Sequence, residues 1–386
     1  MRIGMFSESY EPVLNGVTVS MLTLTRELKK LGHEIVVFAP GFRGHQDVEN
    51  RTVRFPSVRT WVAPDYPLAV PYIPGLFRKV RDLELDIIHT HTPFMLGVLG
   101  LKLARRLKIP IISTNHTQYT EYAHYITIAP RAFTRSVIIG HLRRYYNRCD
   151  AVVVPSGPIK NLLQGYGVQT PVNVIPTGIP HDTTRDHKAR SAIRGQYGIP
   201  ADARVLLYVG RLAREKNLCL LLDSFKRLAQ KYPDLHLLIV GGGPFESECI
   251  HLASEMEAAG RVVFTGSIPR EKVGKYYSAG DLFTFPSTTE TQGLVICEAL
   301  RAGIPCVAVN AGGSPEMVVD GEDGLLTKND AEDFTAKIDS FLSDQDMMKR
   351  FSVKAVKNSE RFSPHYMATS MLKVYESVLK PGTSSQ

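Results

Sequence analysis

Residues 281–309 read DLFTFPSTTETQGLVICEALRAGIPCVAV. A short apolar run, LFTF, is cut off at Pro286 and Ser287, and a polar loop follows. An amphipathic stretch then begins after Gly293 and stops at Gly303, just before Pro305 and a second apolar run, CVAV. Apolar runs bounded by turn residues and joined by a helical segment predict buried parallel strands with a crossover helix. Glu290 then lies in the loop at the first strand's carboxyl end. Glu298 lies in the first turns of the helix, so the two acids do not share one helix face.

The same rhythm runs outward from this unit. In the second half it includes RVLLYVGR (204–211), LHLLIVGGG (235–243) and RVVFTGS (261–267). In the first half RIGMF (2–6), HEIVVFAP (33–40), DIIHTHTP (86–93), IISTNHT (111–117) and AVVVPS (151–156) alternate with helical stretches such as GVTVSMLTLTRELKKLG (16–32). The 386-residue chain therefore reads as two doubly wound α/β domains in tandem. The Pro-, Gly- and Asp-rich segment 173–203 is the expected hinge. The expected boundaries are 1–178, 179–362 and a closing helical segment, 363–386.

With 44% hydrophobic and 22% charged residues the chain is globular, not disordered or fibrous. Five cysteines with no CxxC pair suggest neither a disulfide framework nor a zinc finger, and place the chain in a reducing cytoplasm. No secretory leader and no run of roughly 18 to 20 apolar residues is evident, so no membrane span is expected. The formal charge of +8 is uneven: residues 1–180 carry 21 Lys and Arg against 12 Asp and Glu, and the remainder 25 against 26. Such asymmetry points to an anionic partner for the first half, either nucleic acid or an anionic lipid surface.

In open parallel sheets ligands bind where strands end and helices begin. Gly16, before the first long helix, lets backbone N–H groups approach an anion, although a glycine there is more often a plain turn. Arg211 at a strand end and Lys216 in the following loop suit a diphosphate that leaves without metal assistance, against the bland reading of surface basicity. The backbone N–H groups of Gly293 and Leu294 add to that phosphate site. Glu290 suits sugar hydroxyls and Glu298 a ribose diol, while the preference of helix starts for acids explains Glu298 alone equally well.

ETQGLVICE, GRLAREKN, LLIVGGGP and LNGV together resemble the retaining glycosyltransferases of family 4, which have the two-domain GT-B fold, and the resemblance covers nearly the whole chain. It implies that Glu290 faces the donor hexose, Glu298 the nucleotide ribose, and Arg211 with Lys216 the diphosphate. It further implies Ser267 and Ile268 near the base, His116 near the reacting carbon, and a terminal helix that returns to the first domain. The expected chemistry is front-face departure with retention, with no metal and no cofactor beyond the nucleotide sugar. HTQYTEYAHYI (116–126) is similar to a stretch of the family's diacylglycerol glucosyltransferases, which places Tyr119 and His124 on the acceptor side.

On a helix from Arg131, residues Ile138, Leu142 and Tyr145 form one apolar stripe, and Phe133, Val137, Arg144 and Arg148 fall opposite. An aromatic mixed with arginines suits a lipid headgroup boundary; core packing with solvated charge is the plainer reading. Tyr66, Leu68, Tyr72, Ile73, Leu76 and Phe77, beside Arg78, Lys79 and Arg81, are expected to add exposed apolar surface. His89, His91, His116 and His124 are donors without a matching carboxylate set, so no metal centre is expected. GGGPFES lacks dinucleotide spacing, and Asp344 with Asp346 reads as surface charge.

The expected activity is transfer of a hexose from a nucleotide sugar, foremost UDP-glucose, to a membrane lipid such as diacylglycerol or a glycolipid. The enzyme would lie peripherally on the inner face of the cell membrane, with no nucleic-acid partner. The alternatives are GDP-mannose with a soluble or polyprenyl-linked acceptor, a nucleotide-sugar epimerase, and a metallohydrolase.

Overall fold

Each apolar run forms a strand, and in each half the strands assemble into one all-parallel sheet, shown by a computed structural model. It describes residues 1–13, 15–42, 44–47, 51–58, 67–120, 131–179 and 186–379. The chain divides into two units, Met1–Gly178 with Pro364–Gln386, and Ile179–Ser363.

The first unit contains β1 (Arg2–Phe6), β2 (Glu34–Pro40), β3 (Arg51–Phe55), a small antiparallel pair β4 (Ser57–Val58) and β5 (Leu68–Ala69), then β6 (Ile87–Thr90), β7 (Ile111–Thr114), β8 (Ala151–Val154) and β9 (Val172–Val174). Helices α1 (Gly16–Lys30), α2 (Leu76–Arg81), α3 (Met95–Leu107), α4 (Arg131–Tyr146) and α5 (Gly157–Gly165) connect them. The sheet order is β3-β2-β1-β6-β7-β8-β9. Strand alternation splits the core between the two faces. Ile3, Met5, Val37, Ile87 and Ile112 pack with Met21, Leu24 and Leu28 of α1. Phe6, Phe38, Ile88 and Val152 pack with α3, α4 and α5 on the other side.

The second unit contains β10 (Arg204–Val209), β11 (Leu235–Val240), β12 (Val262–Phe264), β13 (Leu282–Phe285), β14 (Cys306–Val309) and β15 (Gly324–Thr327), in the order β12-β11-β10-β13-β14-β15. Its helices are α6 (His187–Gln196), α7 (Leu218–Lys231), α8 (Glu246–Ser254), α9 (Arg270–Tyr277), α10 (Leu294–Arg301), α11 (Ser314–Met317), α12 (Ala331–Ser343) and α13 (Gln345–Asn358). The last helix, α14 (Pro364–Leu379), belongs to the first unit, where Met367, Met371, Val374 and Tyr375 close the α1 face of the sheet.

Two expectations need correction. The segment read as a hinge is not all linker. It contains α6, whose N-cap Asp186 accepts from Lys188 N and whose Arg194, only 2% exposed, donates to the carbonyls of Ala279, Ala201 and Ala203 and to Asp281. A buried guanidinium needs that many acceptors, and they tie α6 to the second unit. Leu76, expected on the surface, is buried in the first unit's core, and Ile73 and Phe77 pack against that core; Leu68 and Tyr72 are exposed. Alternation within so short an element cannot tell which face meets α3. Asp344 caps α13, accepting from Asp346 N and Met347 N.

Because Met371 is buried between α14 and the sheet, Met371→Ala should destabilise the protein by about 2–5 kcal/mol. Urea unfolding measures this, and an unchanged midpoint would show that α14 adds nothing to the first unit's stability.

Candidate functional site

Strand order reverses between β1 and β6 in the first unit and between β10 and β13 in the second. These are the points where a parallel sheet opens a crevice at its carboxyl edge. Of the residues singled out from the sequence, Gly16, Arg211, Lys216, Glu290, Gly293 and Leu294 lie in or just beyond the loops at those two points, and the others lie elsewhere.

In the second unit the loop after β10 lies directly on the glycine run that follows β11. Leu212 N donates to Gly242 O at 2.9 Å and Phe245 N to Leu212 O at 3.0 Å. A Cβ at Gly241 would sit 2.1 Å from Gly210 O, and one at Gly243 2.3 Å from Leu212 O. These two glycines thus allow backbone to rest on backbone, which no side chain would permit. This platform carries Arg211, paired with Glu215, and the single 3₁₀ turn Arg214–Lys216.

Lys216 forms an ion pair with Glu290, and the two side chains are only 19% and 16% exposed. This contact spans the switch point from the β10 loop to the β13 loop. Ser287 Oγ donates to the same Glu290 oxygen at 3.0 Å. The Glu290 carbonyl accepts from Gly313 N at 2.7 Å, and a Cβ at Gly312 would meet that carbonyl at 2.6 Å. Gly293, at φ +81°, turns the chain into α10. Glu290 is therefore fixed through both its backbone and its carboxylate, beside the start of a helix whose first N–H groups have no intrahelical partner. Leu294 is partly exposed there.

Glu298 is in a different setting. It is 2% exposed, is gripped by both terminal nitrogens of Arg270, and accepts from Tyr277 Oη at 2.6 Å. Sequence reading missed Arg270, Tyr277, Ser287 and the Gly312–Gly313 turn. The first two lie seven apart on α9, hence on one face, but that spacing does not name their partner. Ser267, exposed, and Ile268, packed against the core, follow β12; a Cβ on Gly242 would meet Ser267 Oγ at 2.5 Å.

In the first unit Asn15 caps α1 by accepting from Thr18 N at 3.0 Å, so Gly16 is the first helical residue. The loop after β1 also carries Glu8, which sequence reading passed over. Its Oε1 accepts from Leu96 N at 2.5 Å, at the start of α3, while its Oε2 is buried with no hydrogen-bond partner among the described residues. Burial raises its pKa to about 7, against the opposing backbone hydrogen bonds.

The loops after β6 and β7 bring His91 Nδ1 within 3.0 Å of His116 Nε2. His89 lies in the sheet, with Nδ1 2.7 Å from Tyr375 Oη on α14 and Nε2 2.6 Å from Thr114 Oγ1. Desolvation lowers the pKa of His89 to about 3, of His116 to about 4, and of His91 well below the usual value, so all three are neutral at pH 7. A small cavity beside them is lined by Ser20, His91, His116, Thr177, Met367 and Met371. Among the described residues no group of three or more His, Cys, Asp and Glu converges as metal ligands would.

Tyr119 packs edge-on against Phe94 at 5.0 Å. On α4, Leu142 and Tyr145 are buried, whereas Phe133 (63% exposed), Val137 (55%) and Arg144 are exposed, as is Arg148 in the turn that follows. His124 and Tyr66 lie outside the described residues. Among the described residues no helix is long and apolar enough to cross a membrane.

Comparison with known proteins gives the same picture. The model described as Glycosyltransferase Family 4 matches residues 14–183, and that described as Glycosyl transferases group 1 matches 189–358. An alpha-monoglucosyldiacylglycerol synthase of Streptococcus pneumoniae is 35% identical over 314 residues, 80% of this chain and 71% of that protein. Another, of Acholeplasma laidlawii, is 32% identical over 348 residues, 86% of each chain. A GDP-mannose-dependent alpha-mannosyltransferase of Corynebacterium glutamicum is 31% identical over 333 residues, 84% of this chain and 76% of that one. Among solved structures, sucrose-phosphate synthase from Thermosynechococcus elongatus superposes with a TM-score of 0.77 at 23% identity, covering 97% of this chain and 98% of the other. Anabaena HepE in complex with UDP gives 0.75 at 20% identity, covering 98% and 100%. Both share the fold, two Rossmann-like units of the GT-B class. The chain belongs to glycosyltransferase family 4. It is a glycosyltransferase.

The buried Glu8 yields a pH prediction. Folded, it keeps its proton up to about pH 7, whereas the unfolded chain releases it near 4.5, so stability falls as pH rises through that window and levels off above it. Glu8→Gln cannot ionise. Relative to the native protein it should gain about 2 kcal/mol between roughly pH 5 and pH 8 in urea unfolding. An equal difference at both pH values would mean that Glu8 ionises as an exposed acid does.

Proposed function

We propose that this glycosyltransferase moves a hexose from a UDP-sugar, foremost UDP-glucose, to a membrane lipid such as diacylglycerol or a glycolipid, with retention and without a metal. The observation that carries the reading is the Lys216–Glu290 pair at the start of α10. A lysine already positioned by a carboxylate, with Arg211 on the same loop and the α10 N–H groups nearby, supplies the charge that a departing diphosphate needs. Donor binding gives Lys216 a second anionic partner and leaves Glu290 to accept from sugar hydroxyls. Glu298 would receive the ribose by exchanging one of its Arg270 or Tyr277 contacts, and Ser267 and Ile268 would flank the base.

The two monoglucosyldiacylglycerol synthases among the relatives support a glucosyl donor and a lipid acceptor. The outward Phe133 and Val137 on α4, together with Arg144 and Arg148, supply apolar and cationic groups for an anionic surface. We accordingly place the enzyme in the cytoplasm, peripherally on the inner face of the cell membrane. The mannosyltransferase relative supports a second reading, with GDP-mannose as donor.

Labelled UDP-glucose offered with diacylglycerol in anionic vesicles should yield labelled glycolipid, and Glu290→Gln or Lys216→Ala should lower kcat by on the order of a hundredfold or more. Transfer from GDP-mannose alone would favour the second reading, and no transfer from any nucleotide sugar by folded protein would refute both. A Phe133→Ser, Val137→Ser double variant should lose most of its co-flotation with anionic vesicles in low salt while keeping its unfolding midpoint. Undiminished flotation would remove α4 from the membrane face.

A further inference from the structure

His91 and His116 share one hydrogen bond between ring nitrogens, and the geometry decides which ring holds the proton. Their Nδ1 and Nε2 atoms are 3.0 Å apart. The ring planes are tilted by only 16° and the centroids are 5.3 Å apart. That separation exceeds the N···N distance by about the two ring radii, so the nitrogens point at each other nearly in one plane, as a hydrogen bond requires. In a neutral imidazole one nitrogen is a donor and the other an acceptor. Two arrangements are therefore possible. In the first, His91 donates from Nδ1 and His116 accepts at Nε2. In the second, His116 donates from Nε2 and His91 carries its own proton on its remote nitrogen.

His91 Nε2 separates them. It is buried and has no hydrogen-bond partner among the described residues. In the second arrangement it would be an orphaned N–H in the interior, the rarer and more costly kind of unpaired group; in the first it is only an unused lone pair. His89 stacks on His91 with centroids 4.2 Å apart, but its own nitrogens meet Tyr375 and Thr114, so it offers His91 Nε2 nothing.

We propose that His91 is a positioning residue that donates its Nδ1 proton to His116 Nε2 and thereby fixes His116 as the Nδ1–H tautomer, a hydrogen-bond donor at that nitrogen and not a base. Whatever substrate oxygen meets His116 Nδ1 must then accept. A sugar hydroxyl lone pair or a carbonyl fits, and proton abstraction from the acceptor hydroxyl falls to another group. The consequence for the sugar rests on the proposed glycosyl transfer; the tautomer does not.

The test is two-bond ¹H–¹⁵N correlation spectroscopy of the uniformly ¹⁵N-labelled protein near pH 7.5, with the His116 signals identified by their loss in His116→Gln. A protonated Nδ1 and a bare Nε2 on His116 are expected, and a protonated Nε2 overturns the proposal whatever sugar is transferred. His91→Phe should release His116 into the other tautomer or a mixture and lower kcat by roughly tenfold or more. UDP affinity, read by calorimetry, should stay unchanged. His91→Asn, which keeps an N–H near the same place, should restore both the tautomer and most of the rate. If His91→Phe does not fold, the native spectrum and His91→Asn still decide. An Nδ1–H tautomer in a protein that transfers no sugar supports this proposal and counts only against the functional reading.

Discussion

A parallel strand must be covered on both faces, and that constraint governs the rest of this molecule. With helices on either side of each sheet, polar chemistry has room only at the strand ends. Between β1 and β6, and again between β10 and β13, adjacent strands send their chains to opposite faces, and the loops part. Glu8, His91, Lys216 and Glu290 lie in such loops, and His116 lies in the loop after β7, the neighbouring strand. The strands themselves contribute little chemistry, and His89, the titratable group inside the first sheet, is satisfied by two hydroxyls.

Much of this was legible beforehand because parallel sheets write a simple pattern. Unbroken apolar runs such as LHLLIV and AVVV, each ended by glycine, proline or serine, mark strands buried on both sides. The loops carrying Arg211, Lys216 and Glu290 followed from strand position alone. Contacts between distant segments were not legible. Nothing in REKVGKYY announces that Arg270 and Tyr277 hold Glu298, since the partner lies in another helix. Glu8 stands beside Asn15 and Gly16 in sequence, yet its significance comes from Leu96 N, far along the chain.

The two units do divide within the expected hinge, after Gly178, and the helix inside it escaped notice for a similar reason. Proline, glycine and aspartate in 173–203 are loop formers, but Asp186 serves as a helix cap, and Arg194 is drawn inward by carbonyls from two separate turns. Composition describes a segment on its own, whereas Arg194 is decided by what surrounds it. Leu76 shows the same limit in reverse: an apolar residue among arginines looks exposed until the neighbouring helix is known.

The two sheets follow one plan with different side chains at one corresponding point. At corresponding places, the loop leaving the first central strand reaches the helix that follows the next strand: Glu8 in one unit, Lys216 in the other. The glutamate covers the start of α3 with a carboxyl group that burial keeps protonated up to about pH 7. The lysine instead pairs with Glu290, in the loop just before α10. One sheet plan thus ends once on a carboxyl seated over a helix start and once on an ion pair beside one, and the choice of a single side chain sets the difference.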